Sequence, residues 1–429
     1  MKISPARSAA FDILLKIERD RAFSSILLPE YEKQLTPRDR ALCHRLTLGV
    51  LRRQLFLDHY INGAARSKNL DLAVHVSLRL GLFQLWFLDK VPAHSAVNES
   101  VELVHRAKKS SARTMVNAIL RRAKQKPEYS NLADEIERIS IESSHPRWLI
   151  EKWANQFGAD ETARLAEANN TESALSFRLT ARAPADLSFA GTRPSSSVPG
   201  CFLVDKMTPK LSAASADGLI YFQDEGSQLV AAAVDIPFGG SFLDVCASPG
   251  SKVTQIAALN ASVFPVAGDI YSHRTRFLLE NLRSQGVTDA AVVQYDAETT
   301  MPFRGKAFDS VLVDAPCTGT GTIRHNPELR YFIRPGDPAE LSKKQLRILK
   351  NASNLVKEGG SLIYSTCSLE VEEGEQVVDE FIAAESSFRL VQPSVPASHI
   401  TEAGYARTRP DIDGMDGFFI AALERIRQS

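Results

Sequence analysis

Two cysteines and four aspartates hold the reactive side chains of this sequence in a repeating position. Cys317 follows the apolar run 310–313 and sits in Asp314-Ala315-Pro316-Cys317-Thr318-Gly319-Thr320-Gly321. Cys367 follows a second apolar run and sits in Tyr364-Ser365-Thr366-Cys367-Ser368. Short apolar runs bounded by turn residues suit buried parallel strands. The carboxyl ends of such strands are where an open α/β sheet gathers its chemistry. Asp244, Asp269, Asp296 and Asp314 each stand at the end of a candidate strand. A single Asp in a loop is most simply a cap or a turn residue. Four at successive strand ends are better explained by a shared ligand.

The thiols suggest covalent catalysis. C5 of cytosine is a poor nucleophile, but a thiolate adding at C6 makes the ring enamine-like, so that C5 can attack a methyl group. The C5 proton then leaves and the thiolate is expelled. Two thiols allow one to attack and the other to assist proton removal or product release, and the residues alone leave open which does which. A free cysteine, with a pKa of about 8.5, must be helped to ionise near neutrality. Cys43 and Cys201, in apolar surroundings, read as small buried hydrophobes. Cys246 lies in Asp244-Val245-Cys246-Ala247-Ser248-Pro249-Gly250-Ser251-Lys252, which follows the first strand and opens a helix. That loop is neither Gly-x-Gly-x-x-Gly nor a P-loop, so a pyrophosphate cradle is poorly supported. Carboxylates suit S-adenosylmethionine, with its ribose hydroxyls, amino group and sulfonium cation.

These residues need a frame. From about residue 219 strand candidates (242–246, 263–270, 291–295, 310–313, 361–365, 418–422) alternate with helix candidates (252–259, 272–284, 339–356, 371–384). Alternation of this kind implies a doubly wound, mostly parallel sheet, with 418–422 as an added edge strand. Residues 1–126 show helical spacing, as in Ala9, Ile13, Leu14 and Ile17, with Pro29, Pro37 and Pro92 as punctuation. Between them, 139–219 reads as a small α+β subdomain: an amphipathic helix through Trp148, Ile150, Trp153 and Phe157, a strand at 176–180, and a Pro/Ser/Gly-rich loop at 184–200.

Charge separates the same regions. The chain of 429 residues is neutral overall, but residues 1–138 hold 24 Lys and Arg against 15 Asp and Glu, leaving the remainder acidic. A basic front on a neutral protein suggests a polyanionic partner. Residues 106–126 carry eight basic side chains and no acid, interleaved with Met115, Val116, Ala118, Ile119 and Leu120. A solvated helix face and an RNA-binding surface both fit this stretch. The five scattered cysteines fit a reducing cytosol, and their spacing argues against a zinc site. No apolar run reaches the ~18 residues of a membrane helix, and Asp12, Glu18 and Asp20 argue against a targeting segment at the start.

Two resemblances sharpen these expectations. Leu80-Gly81-Leu82-Phe83-Gln84-Leu85, Val91-Pro92-Ala93-His94-Ser95-Ala96-Val97-Asn98-Glu99 and Val116-Asn117-Ala118-Ile119-Leu120-Arg121 resemble the all-helical fold of the antitermination factor NusB. Such domains bind ribosomal RNA or other proteins. The motifs around Asp244–Lys252, Cys317 and Cys367 resemble those of the NOL1/NOP2/Sun family of RNA cytosine-C5 methyltransferases. Together they imply a multi-domain chain: an all-α NusB-like domain (1–138), the small α+β subdomain (139–219), and a Rossmann-like class I methyltransferase domain (220–429). The resemblance makes Cys367 the nucleophile and Cys317 the group that assists breakdown of the adduct. It places Cys246, Ala247, Ser248, Pro249, Gly250, Ser251, Lys252, Asp269, Asp296 and Asp314 around S-adenosylmethionine, with Asp314 also at the cytosine N3 edge. The implied partner is 16S ribosomal RNA before or during small-subunit assembly, met by a cytoplasmic monomer without metal or membrane attachment. The same chemistry on tRNA or another RNA, or a non-catalytic ribosome assembly factor, are the competing readings. Two departures stand out. Ser251 replaces a common glycine, and strain is expected if that position needs positive φ. Glu372-Glu373-Gly374-Glu375 replaces Glu-Asn-Glu, leaving Glu372 and Glu375 as candidate supports.

Overall fold

The computed structural model describes residues 3–65, 69–130, 132–184, 186–260 and 262–427. The chain forms two compact units, Met1–Thr171 with Ile323–Pro335, and Glu172–Thr322 with Gly336–Ser429.

The first unit is helical. Helices run over Pro5–Asp20, Ser24–Glu32, Pro37–Arg52, Gln54–Ala64, Leu72–Phe87, Ala93–Arg106 and Arg113–Arg122. Pro37 opens its helix behind the Thr36 cap, whose hydroxyl accepts from the Asp39 N–H, and Pro92 is itself an N-cap. Pro29 instead lies inside Ser24–Glu32. Leu72–Phe87 is the central helix, buried on nearly all sides from Val74 to Gln84. Gly81 lets Leu120 approach, since a Cβ there would lie 2.7 Å from its methyls. Buried Arg79 is held by both oxygens of Asp58, at 2.6 and 2.7 Å.

The sequence puts boundaries at 138 and 219, whereas the compact units part after Thr171. Helices Glu135–Ser143, Arg147–Phe157 and Ala159–Ala168 go with the first unit. Leu149, Ile150 and Trp153 are fully buried there. The return segment Ile323–Pro335 is fixed in this unit by polar anchors. Glu328 accepts from the Ser24 N–H at 2.7 Å, and buried Arg330 donates to Asn170 Oδ1 at 2.9 Å.

In the second unit we number the strands β1 (Leu175–Leu179), β2 (Arg193–Pro194), β3 (Cys201–Val204), β4 (Ile220–Phe222), β5 (Ser241–Asp244), β6 (Phe264–Asp269), β7 (Ala291–Gln294), β8 (Phe308–Asp314), β9 (Val356–Thr366), β10 (Phe388–Val391), β11 (Ala406–Arg407) and β12 (Phe419–Arg425). Strands β2-β3-β1-β4 form a small antiparallel sheet over Phe177, Val204, Leu211 and Ile220. Buried Arg178 on β1 donates to Ser251 O at 2.9 Å and Thr254 Oγ1 at 2.7 Å, bracing the helix Ser251–Leu259.

The large sheet has the order β10-β12-β9-β8-β5-β6-β7, with β11 beside β12. Strands β7, β6, β5, β8 and β9 are parallel. Val311, Leu312 and Val313 of β8 are wholly buried, as helices on both faces require. The chain leaves β5 toward β6 on one side and returns at β8 on the other. That reversal makes the crevice past the ends of β5 and β8 the natural ligand site. The last strand pairs antiparallel with β9, but it is not the edge expected from the sequence, because β10 pairs along its outer side.

Candidate active site

Neighbouring strands β8 and β9 deliver the two thiols. Asp314 pairs with Ser365 in the parallel register, so each strand ends at the same level before its cysteine loop. The loops are then tied together: Ala315 N–H donates to Ser365 O at 2.9 Å and Gly321 N–H to Cys367 O at 3.0 Å. A Cβ on Gly321 would lie 2.0 Å from Gly417 O, so only glycine fits this crossing. The Cys317 and Cys367 sulfurs end 3.3 Å apart, both partly exposed. The hydrogen bond to Cys367, burial and the nearby carboxylates of Glu373 and Asp314 push the Cys317 thiol well above its ordinary value. The two thiols are within hydrogen-bond distance, and either sulfur can be the donor.

Beside the thiols, Lys252 Nζ lies 2.7 Å from Asp314 Oδ2, and Ser365 Oγ donates to Asp314 Oδ1 at 2.8 Å. Burial disfavours the Lys252 charge, but Asp314 prevails and holds its pKa above the usual value. Asp244 is buried at the end of β5, and burial together with Asp314 pushes it up to about 8. Among the described residues, the side chain of Asp269, buried at the end of β6, has only long contacts, with the Tyr271 N–H at 3.4 Å and Arg274 Nε at 3.5 Å. Burial and the Asp244 carboxylate raise Cys246, which behaves as a neutral wall residue. The loop after β5 turns through a cis Ser248-Pro249 bond and Gly250, whose φ is +105°. Ser251 is the first helical residue and lacks positive φ, which falls instead on the glycine before it, so the strain expected at Ser251 is absent. Asp296 follows β7, and its Oδ1 accepts the Glu298 N–H at 2.9 Å, the same i+2 turn contact that Asp269 makes with the Tyr271 N–H.

One residue important to this geometry was passed over in the sequence. Glu373, fully buried, accepts from the Thr318 N–H (2.9 Å) and hydroxyl, from Ser368 Oγ (2.6 Å) and from Gln345 Nε2 (3.0 Å). Thr318 and Ser368 are the residues that follow the two cysteines, so one carboxylate sets both loops. Of the supports read from the sequence, Glu375 acts at one remove: it pairs with Arg407 at 2.5 Å, which reaches Ser368 O at 3.4 Å. Glu372 is partly exposed. Four acids within six residues gave no period by which to choose Glu373. Cys43 and Cys201 are buried, and burial pushes them to about 11 and about 12, as inert core thiols.

Comparison with known proteins fixes the family. The chain is 34% identical to the ribosomal RNA small subunit methyltransferase B of Thermus thermophilus, over 99% of both chains. It is 30% identical to the probable ribosomal RNA small subunit methyltransferase B of Bacillus subtilis, over 99% of this chain and all of that one. The chain belongs to the ribosomal RNA small subunit methyltransferase B family. The family models agree: residues 234–424 match the 16S rRNA methyltransferase RsmB/F model and residues 4–125 match the NusB family. The crystal structure of PH0851 shares 25% identity over 99% of this chain and 100% of its own, with a TM-score of 0.84. As a member of this family the protein is an S-adenosylmethionine-dependent methyltransferase. The site fits that cofactor. Asp244 Oδ1 is buried without a hydrogen-bond partner, in a cluster of carboxylates where a cationic ligand supplies the missing charge.

Proposed function

We propose that the protein methylates C5 of a cytosine in 16S ribosomal RNA through a covalent bond between Cys367 Sγ and C6. The 3.3 Å thiol pair is the observation that carries this reading. Addition of the Cys367 thiolate to C6 moves the C5–C6 π electrons onto C5, making it nucleophilic. When bound, the cofactor supplies an electrophilic methyl group. Loss of the C5 proton to a base then restores the double bond and expels the Cys367 thiolate, whose returning charge the Cys317 S–H meets as a hydrogen bond. Asp314, oriented by Lys252 and Ser365, is assigned to the cytosine N3 edge. Asp244, Asp269 and the loop from Cys246 to Lys252 are assigned to the cofactor, with Asp296 at the next strand end.

The relatives are named for the small-subunit RNA, and the basic first unit supports RNA as the partner here. We place the protein in the cytoplasm, where five free cysteines stay reduced. Undermethylated small-subunit RNA and tritium-labelled cofactor test the reading. Wild type transfers label to cytosine C5, Cys367→Ala transfers none and forms no adduct, and Cys317→Ala leaves a protein–RNA band on denaturing gels. Bands in the opposite order reverse the two roles. Binding without any transfer favours an assembly factor, and transfer to tRNA alone moves the substrate.

A further inference from the structure

Two stretches of the first unit, residues 91–103 and 116–121, meet at a cavity of about 480 Å³ that the chemistry above does not use. Its floor is apolar, from Val97 and Leu120, both buried. Its walls carry His94 and Asn98, one turn apart on the helix Ala93–Arg106, and Arg121 and Lys124 at the end of the helix Arg113–Arg122.

The basic stretch 106–126 divides by partner. Arg106 pairs with Asp12, Lys109 with Asp71 and Arg113 with Glu102. Among the described residues, the two cations at the cavity have no acid: Arg121 donates only to Asn117, and Lys124 has no side-chain partner. The Asn98 amide and His94 ring are likewise without a described hydrogen bond. Lys108, Arg122 and Lys126 likewise have no acid among the described residues, so half of the other charges on the stretch are paired internally and those at the cavity belong to the part available to an anion.

We infer that this cavity receives one unstacked nucleotide of the RNA substrate, its base on the Val97–Leu120 floor within reach of Asn98 and His94, its phosphate against Arg121 and Lys124. The volume lies within the ordinary range for small-ligand sites, about 300–1,000 Å³. An apolar floor with an amide and an imidazole at its edge suits the flat face and polar edge of a base, and single-stranded RNA is read by such splayed bases. The inference rests on RNA being the substrate, but not on the cysteine chemistry.

The test uses the full-length protein and a fluorescein-labelled single-stranded fragment of small-subunit RNA, read by fluorescence anisotropy. Arg121→Glu with Lys124→Glu weakens binding at least tenfold and flattens the log Kd against log salt slope by about 0.7, the value for one lost phosphate contact on a single strand. Ala93→Trp blocks the mouth without changing charge and weakens binding at least fivefold, with the melting temperature unchanged. Photocrosslinking of 4-thiouridine RNA marks the peptide containing His94 and Asn98. If Ala93→Trp binds like wild type, or the crosslink falls elsewhere, the cavity is not a nucleotide site and the charge effect is general attraction. Preference of the cavity for an acidic peptide that RNA does not displace also overturns the inference. Methyl transfer by the wild-type protein is measured in parallel. Its absence in wild type would count against the catalytic proposal and leave this one standing.

Discussion

Cys317 and Cys367 are fifty residues apart in the chain, yet their sulfurs are 3.3 Å apart. The hydrogen bond to Cys367 is the largest influence raising Cys317, ahead of burial. Removing that partner should therefore lower the Cys317 pKa toward its ordinary value and increase its thiolate fraction. At pH 8.5, iodoacetamide is expected to label Cys317 severalfold faster in Cys367→Ala than in wild type, measured by peptide mass spectrometry. Equal or slower labelling would mean that Cys367 does not hold the proton on Cys317.

Much of this site is legible in the sequence because each reactive residue ends an apolar run. Asp244, Asp269 and Asp314 each close a strand, and the parallel order follows from strand–helix alternation. The thiol pairing is less visible, since it depends on β8 and β9 being neighbours, a fact of sheet order that the runs do not encode. The anchoring of Ile323–Pro335 in the helical unit is also hidden, because buried Glu328 and Arg330 look in sequence like two ordinary surface charges.

Glu373 holds both cysteine loops, so its loss should affect rate more than RNA binding. Glu373→Ala leaves the Thr318 N–H, the Ser368 hydroxyl and the Gln345 amide without their acceptor. A buried polar group left unsatisfied costs roughly 1–3 kcal/mol, and urea denaturation should show a loss of about 3 kcal/mol. Glu373→Gln keeps the shape but brings an N–H against donors. Its kcat should fall at least tenfold, with KM for RNA within twofold of wild type. A matched change in KM alone would assign Glu373 to RNA binding.

The cofactor loop distinguishes two adjacent residues. Gly250 has φ +105°, and a Cβ there would lie 2.8 Å from Leu278 Cδ1 in the core. Gly250→Ala is expected to cost about 1–3 kcal/mol and to weaken S-adenosylmethionine binding at least tenfold by calorimetry. Ser251→Gly installs the glycine that the motif resemblance leads one to expect but relieves no strain, because Ser251 already begins a helix without positive φ. It should be neutral or destabilise by up to about 1 kcal/mol. A stabilised Ser251→Gly protein would show that Ser251 is strained after all.

Asp244 links cofactor binding to pH. Its carboxyl rises from 3.8 to about 8 on folding, chiefly through burial and then through Asp314. A raised carboxyl favours the folded state fully below the unfolded pKa, and that advantage is lost as pH rises through about 8. The cofactor-free protein should therefore melt at lower temperature at pH 8.5 than at pH 6, and Asp244→Asn should flatten that dependence. A cationic ligand favours the ionised carboxylate, so its binding below pH 8 must release the Asp244 proton. Affinity for S-adenosylmethionine should rise with pH from 6 to about 8 by at most tenfold per unit, then level off. Calorimetry in buffers of different ionisation enthalpy should count close to one proton released per cofactor at pH 6.5 in wild type and near zero in Asp244→Asn. Equal counts in the two proteins would show that another group supplies the proton.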